Sequence, residues 1–264
     1  MSYRDNHYET MSLEFCGPVA VVRFDRPEAL NAVNVQMSYD RLVIYEGLSS
    51  DPEVRAVIIT GNEKAYCAGA DLAAFVRFGP DEALELAVRG MAYQKVLMDM
   101  PKPTIAAVAG YAFGGGLENV LLCDLRIAAE NATFALPETG VGIFPGGGGT
   151  QRLVQNTSVC KAKEMIFLGK PVDAATALEI GLINKVVPSA NLMDAAMEWA
   201  EMLCAKPPLA LAAAKRMINT AWNTDIETGM RMEIEAWAQI FSSGDQKEGM
   251  RAFLEKRRPV FTGA

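Results

Sequence analysis

Two glutamates and two glycine-rich turns are the groups in this sequence best suited to chemistry. Glu118 follows the triplet Gly114–Gly115–Gly116 at the predicted start of a helix, in an otherwise apolar stretch. Glu138 follows Pro137 in TFALPETGVG, again with few charged neighbours. Carboxylates in such settings are partly desolvated, which raises their pKa and suits them to proton transfer near neutral pH. Two that converge can divide acid and base roles. The plainer readings are a glutamate complementing a helix N-terminus (Glu118) and a loop carboxylate accepting backbone N–H groups (Glu138). The glycine turns echo each other: AYCAGADL (Ala65–Leu72) and GYAFGGGLE (Gly110–Glu118) each follow a predicted strand and carry glycine just before a helix start. Such turns leave backbone N–H groups free to approach a ligand, and the helix dipole favours negative charge there. One amide from the Gly69–Ala70 turn and one from the Gly114–Gly116 turn, aimed at the same carbonyl or thioester oxygen, would make an oxyanion hole. One such donor is typically worth about 2.7–4 kcal/mol of transition-state stabilisation. Close helix–strand packing is the other use of the same glycines.

Other chemistries are excluded by what is missing. The single histidine, His7, sits in a polar leader (MSYRDNHYET) expected to be mobile, which removes Ser-His-Asp and Cys-His mechanisms and histidine-based zinc sites. PGGGGTQRL (Pro145–Leu153) lacks the Lys-Ser/Thr ending of a phosphate-cradling loop, and GVGIFPG has Pro145 where a dinucleotide fingerprint needs its third glycine. Five widely spaced cysteines (Cys16, Cys67, Cys123, Cys160, Cys204) form no CxxC and are expected to be reduced, mostly buried thiols. With 25 Lys+Arg against 32 Asp+Glu the net charge is -7, so no nucleic-acid or anionic-membrane partner is expected. The leader has neither a basic start with an apolar run nor the look of an organelle presequence, and the expected location is cytoplasmic. Thr104–Cys123 is the most apolar long stretch, but its glycines, Glu118 and Asn119 fit a buried strand–turn–helix rather than a membrane span.

Short β-branched runs alternating with amphipathic stretches predict an α/β protein with crossover connections and a parallel-rich core. Strands are expected at Val19–Phe24, Ala56–Thr60, Thr104–Ala109, Leu125–Ala129 and Leu182–Val187. A helix is expected over Val35–Leu48, capped by Asn34, and another over Asp81–Met100 with Leu84, Val88, Met91 and Val96 on one side. After Pro188 the pattern turns helical: Leu192–Ala205, Leu209–Trp222, Ile226–Phe241 and Asp245–Lys256. Pro207 and Pro208 set a soft boundary between a core of residues 1–205 and a tail of residues 206–264. The three tryptophans and many Met and Leu of the helical stretches serve either subunit packing or the cover of the domain's own core.

The ordered set AYCAGADL, KPTIAAVAGYAFGGGLE, FALPETGVGIFPGGGGTQRL and DQKEGMRAFLEKRRPVF resembles the crotonase family, most nearly its enoyl-CoA hydratase members. The likeness runs from FDRPEALNAV (Phe24–Val33) to the C-terminus. It implies an α/β spiral core of repeated ββα units with a helical C-terminal trimerisation region, a homotrimer or a homohexamer built from two trimers, and a coenzyme A thioester as substrate. Carried over by position, the oxyanion-hole amides are those of Ala70 and Gly115. Glu118 and Glu138 match the two glutamates that handle the water, Glu118 activating it and Glu138 delivering the proton to Cα. The resemblance further implies coenzyme contacts from Arg26, Ala68, Asp71, Leu72 and, from a neighbouring subunit, Phe253 and Lys256, with Asp71 rather a cap than a catalyst. Neither a metal nor a redox cofactor is implied.

Three positions depart from the family pattern. Asn119 stands where Leu is common, placing a hydrogen-bonding group beside Glu118. Ala73 stands where some hydratases have Lys, and Gly147 where Ala is usual, a change expected only to loosen a turn. The pocket wall is expected in Ala73–Met91. The expected reaction is hydration of a 2-enoyl-CoA. Double-bond isomerisation, hydration of a branched or alicyclic enoyl-CoA, and plain acyl-CoA binding are the alternatives.

Overall fold

The structure, a computed structural model, describes residues 2–264. The chain opens with an antiparallel hairpin, β1 (Met11–Cys16) and β2 (Val19–Phe24), turned at Gly17 with φ 59°. Helix α1 (Val35–Ser50) starts where the Asn34 side chain accepts the Met37 N–H at 2.8 Å. Three turns of a spiral follow. The first is β3 (Ala56–Thr60), β4 (Ala65–Cys67), α2 (Leu72–Phe75) and α3 (Pro80–Asp99). The second is β5 (Thr104–Val108), β6 (Tyr111–Phe113) and α4 (Gly115–Val120). The third is β7 (Leu125–Ala129), β8 (Thr133–Ala135), a 3-10 turn at Glu138–Val141, α5 (Gly149–Asn156) and α6 (Val159–Leu168). Then come β9 (Val172–Asp173), α7 (Ala174–Glu179), β10 (Lys185–Val187) and four helices: α8 (Leu192–Cys204), α9 (Pro208–Thr220), α10 (Ile226–Ile240) and α11 (Gly244–Leu254).

Each spiral turn leaves one strand in each of two sheets. The larger has the order β1-β2-β3-β5-β7-β10 and is parallel apart from the hairpin; the smaller has the order β4-β6-β8-β9 and is parallel apart from β9. Every residue of β3 and β5 is buried, because the large sheet is covered on both faces. Val57, Ile59, Ala106 and Val108 face the core shared with α1, α3 and the small sheet, while Ile58, Ile105, Ala107 and Ile127 face Leu192, Ala195, Ala196 and Ala200 of α8. The last three helices bury little in the single chain: α9 has no buried residue and α10 only Ala236. Among the described residues no helix is long and apolar enough to cross a membrane.

Several expectations need correction. The leader is pinned rather than loose: the Tyr3 hydroxyl and the Arg4 guanidinium both bind the Asp51 carboxylate, at 2.5 and 2.7 Å, and Thr10 binds Asp40 through its N–H and hydroxyl. The strand expected at Leu182–Val187 shortens to β10, since Leu182 and Ile183 turn back with their N–H groups on Ala177 O. Leu84, Val88 and Met91 are exposed, and α3 instead buries Tyr93, Gln94 and Leu97. Of the cysteines only Cys67 and Cys123 are buried.

Candidate active site

The small sheet gathers the candidate groups. Because β4, β6 and β8 run parallel and side by side, the chain leaves all three at one edge: at Ala68–Gly69–Ala70, at Gly114–Gly115 and at Leu136–Pro137–Glu138. The first two turns touch. A Cβ on Gly69, whose φ is 104°, would stand 3.1 Å from Phe113 O, and a Cβ on Gly116 would stand 2.1 Å from Cys67 O. Helix α4 can therefore begin against β4 only because glycine starts it.

The same edge leaves two amides unengaged. Val33 bridges the first turn by taking Gly69 O on its N–H (2.7 Å) and giving its own carbonyl to the Asp71 N–H (2.9 Å). In a parallel bridge of that kind the residue between, Ala70, turns its N–H away from the partner strand. Gly115 is the first residue of α4, so its N–H has no acceptor one turn back. Gly114 holds that turn in place by donating to Ala135 O at 2.9 Å. Ala68 is engaged: its N–H donates to Leu30 O at 3.0 Å.

Glu118 and Glu138 border these amides from two sides and differ in their surroundings. Glu118 is 7% exposed, and its Oε1 accepts two backbone N–H groups, from Gly147 at 2.7 Å and Gly149 at 2.8 Å. Its Oε2 is left toward Gly115, 4.0 Å from where a Cβ on that glycine would stand. Burial raises its pKa above the ordinary carboxylate value, and the two amides and the Arg152 charge pull it back. Glu138 lies over Gly114, with Oε1 3.0 Å from where a Cβ there would stand, and its buried Oε2 has no donor. Burial pushes its pKa up to about 7, with its own backbone N–H opposing the rise and the Glu118 charge adding to it. One carboxylate is thus supplied with donors and the other is nearly bare, a division that suits a base and an acid.

The other expected site residues are placed unevenly. Arg26 reaches the first turn but is occupied there, donating to Ala32 O at 2.6 Å and to the Asp71 carboxylate at 3.2 Å. Asp71 stands at the N-cap of α2 yet makes no capping bond with its side chain, so its role is to hold Arg26. Leu72 is exposed beside it. Phe253, 83% exposed, and Lys256 lie at the far end of α11, and no hydrogen bond or ion pair among the described residues ties them to the site. Asn119 turns into the core, accepting the Tyr66 hydroxyl at 2.6 Å, rather than toward Glu118's carboxylate. Gly147 does more than loosen a turn, because a Cβ there would stand 2.3 Å from Glu118 Oε2. That seat, and Arg152 behind it, escaped the sequence reading, which tested the glycine run only for phosphate binding. Four consecutive glycines with no side chain to offer, Gly146–Gly149, shortly after Glu138, were the available signal. A cavity of 990 Å³ lies behind the same loop between Met91, Phe144 and Trp222, and none of Ala70, Gly115, Glu118 or Glu138 lines it.

The chain as a whole is similar to known proteins. Residues 14–264 match the family model described as enoyl-CoA hydratase/isomerase. A short-chain-enoyl-CoA hydratase of Clostridium acetobutylicum is 42% identical, covering 93% of this chain and 95% of that protein. A crotonyl-CoA hydratase of Syntrophomonas wolfei is 40% identical, covering 96% and 98%. The crystal structure of an enoyl-CoA hydratase from Bacillus anthracis superposes with a TM-score of 0.93 at 35% identity, covering 97% of this chain and all of that one. The spiral of ββα turns with its helical C-terminal region is therefore the fold of those hydratases, and the chain belongs to the enoyl-CoA hydratase/isomerase family.

Proposed function

We propose that this protein hydrates the 2,3 double bond of a 2-enoyl-CoA thioester to the 3-hydroxyacyl-CoA, reversibly. The observation that carries the reading is the meeting, at one sheet edge, of two unengaged amides with one donor-rich and one bare carboxylate. The names of the relatives from Clostridium and Syntrophomonas support a short acyl chain. The Ala70 and Gly115 amides receive the thioester oxygen, so that negative charge arriving there as the enolate forms meets donors already in place. Glu118, ionised, takes a proton from water on Oε2 while the water oxygen bonds to Cβ. Glu138, protonated, gives its proton to Cα. The cycle closes when Glu118 releases its proton and Glu138 regains one, and the sum is the addition of one water. The chemistry is assigned to the protein's own groups, with coenzyme A as part of the substrate and no further cofactor.

Arg26, Ala68, Asp71 and Leu72 border the first turn and are assigned to the coenzyme, with Phe253 and Lys256 arriving from a neighbouring subunit. A trimer or a pair of trimers is supported by the apolar residues that α9–α11 expose, among them Ile218, Trp222, Ile234, Trp237 and Phe253.

The test is hydration of crotonyl-CoA, followed by loss of the conjugated thioester absorbance. Rapid turnover is expected, with at least about a 100-fold loss in either Glu118→Gln or Glu138→Gln. A wild-type protein that binds coenzyme A thioesters but leaves a panel of enoyl-CoA substrates unhydrated overturns the reading.

A further inference from the structure

The Gly147–Gly149 loop that seats Glu118 is itself held from behind. Arg152, on the first turn of α5, donates through Nη1 to Gly147 O at 3.0 Å and to the Gln94 side-chain carbonyl of α3 at 3.2 Å, and through Nη2 to the Met98 sulfur at 3.2 Å. Gly148 has φ 99°, and a Cβ there would stand 1.7 Å from Nη1, so the glycine both turns the chain and vacates the space the guanidinium fills. Gly147 is thus gripped on two sides: its carbonyl by Arg152, its N–H by Glu118. No carboxylate lies within ion-pair distance of Arg152 among the described residues, and its buried Nε has no partner.

We propose that Arg152 is a positioning residue that fixes Glu118 as the base, acting through Gly147 without touching substrate. The proposal rests on the hydratase reading above. Two effects follow from the geometry. Gripping the Gly147 carbonyl keeps the Gly147 and Gly149 amides converged on Oε1, which leaves Oε2 as the one atom free for water. The guanidinium also places a positive charge one residue away from Glu118, in a site too dry to screen it, which favours the ionised form. Glu138 lacks any such cation, so the same loop biases one glutamate of the pair and not the other.

The groups facing Glu118 are few. Arg152 faces it from α5, Glu138 from the 3-10 turn, and β4 brings the buried Cys67 thiol under Gly116. On the α3 side, Gln94 is uncharged and Tyr93 is bonded to Arg41. Only Arg152 among them is a cation, so no other side chain replaces it when it is removed.

The test compares Arg152→Met and Arg152→Lys with wild type in crotonyl-CoA hydration across pH. The Met variant is expected to lose about 10- to 100-fold in kcat near neutral pH with KM changed by less than about threefold, and to shift the acidic limb of the kcat profile upward by about one pH unit. Lys keeps the charge but cannot hold Gly147 O and Gln94 together, so it should restore the limb's position while recovering only part of kcat. An unmoved acidic limb in a Met variant with unchanged thermal stability overturns the proposal, as does full recovery by neither limb position nor rate in Lys. If Met fails to fold, Arg152→Gln, which also removes the charge, is read by the same limb. A readout independent of turnover separates this from failure of the hydratase reading: titration of glutamates labelled with carbon-13 at the side-chain carboxyl, with the Glu118 signal identified by its loss in Glu118→Gln. Its midpoint should rise in the Arg152→Met protein whatever the substrate proves to be, and a midpoint equal to wild type sinks the idea.

Discussion

The loop that meets Glu118 and the turn that carries Glu138 hold carboxylates that border the same glycine turn, one at Gly115 and one at Gly114, yet treat them in opposite ways. The Gly147–Gly149 loop has no side chains of its own, so its backbone N–H groups can close on Oε1 from 2.7 and 2.8 Å. The Pro137–Val141 turn spends its backbone on itself, with Gly140 N–H on Pro137 O and Ile143 N–H on Glu138 O, and offers the Glu138 carboxylate no donor for Oε2. Chemically identical groups acquire different proton affinities from the N–H groups within reach, and the Arg152 charge behind the loop adds to the difference on the Glu118 side.

That contrast can be broken by substitution. The largest effect belongs to the carboxylates: Glu118→Gln and Glu138→Gln should each cost at least about 100-fold in kcat for crotonyl-CoA hydration. Near-normal turnover in one of them would reduce the pair to a single working group. Next comes Gly147→Ala, whose methyl would stand 2.3 Å from Glu118 Oε2 and must push the carboxylate off its seat. A fall in kcat of about tenfold with little change in KM is expected. An unaffected rate would mean that the loop's lack of side chains is incidental to Glu118.

pH sharpens the comparison further. The proposed mechanism needs Glu138 protonated and Glu118 ionised, so the rate should fall about tenfold per unit as pH climbs beyond the Glu138 value of about 7, and fall again in acid as Glu118 takes up a proton. The dehydration direction needs the same single proton on the pair, placed on the other glutamate, so its kcat/KM should follow the same pH profile. The smallest effect is on stability. The Glu138 carboxyl holds its proton more tightly in the folded chain than at its ordinary value of 4.5, so folding is most favoured at low pH and loses that advantage as pH rises from there to about 7. Above that the folded chain carries a poorly solvated charge. Glu138→Gln should then raise Tm by a few degrees, about 1–2 kcal/mol once the group's partial exposure is allowed for, and the gain should vanish in acid. A Tm unchanged at alkaline pH would show Glu138 to be better solvated than its surroundings imply.

The elements most legible in the sequence were those that repeat a pattern over several residues. The strands at Val19–Phe24, Ala56–Thr60 and Leu125–Ala129 and the Asn34 cap appear as expected, because β-branched runs and a capping residue are local signals. The small sheet was not legible. Its strands are two or three residues long, AYC, YAF, TFA and VD, too short to show a period, and they exist because the large sheet sets them side by side. The edge strand Met11–Cys16 hides for another reason: it has only one fully buried residue and so no clean alternation. Long-range pairings were equally silent, as when Asp51 ties down the leader or when Arg41 is buried whole on the Phe24 and Tyr93 rings, 4.7 and 5.1 Å from their centres. At the site, the glycine echo and the two glutamates could be found from spacing, but how many donors each carboxylate receives depends on a loop folded back from residues 147–149.

The parallel pairing of β4, β6 and β8 also fixes a length. The Ala70 and Gly115 turns leave neighbouring strands, so their separation is inherited from inter-strand hydrogen bonding, about 4.8 Å, a distance common to all sheets and indifferent to side chains. The two proposed oxyanion-hole amides are therefore measured out by a ruler that side-chain substitution elsewhere cannot stretch. On that proposal, the walls around them can change in size and polarity over evolutionary time, retuning which acyl group is accepted, while the spacing offered to the thioester stays the same.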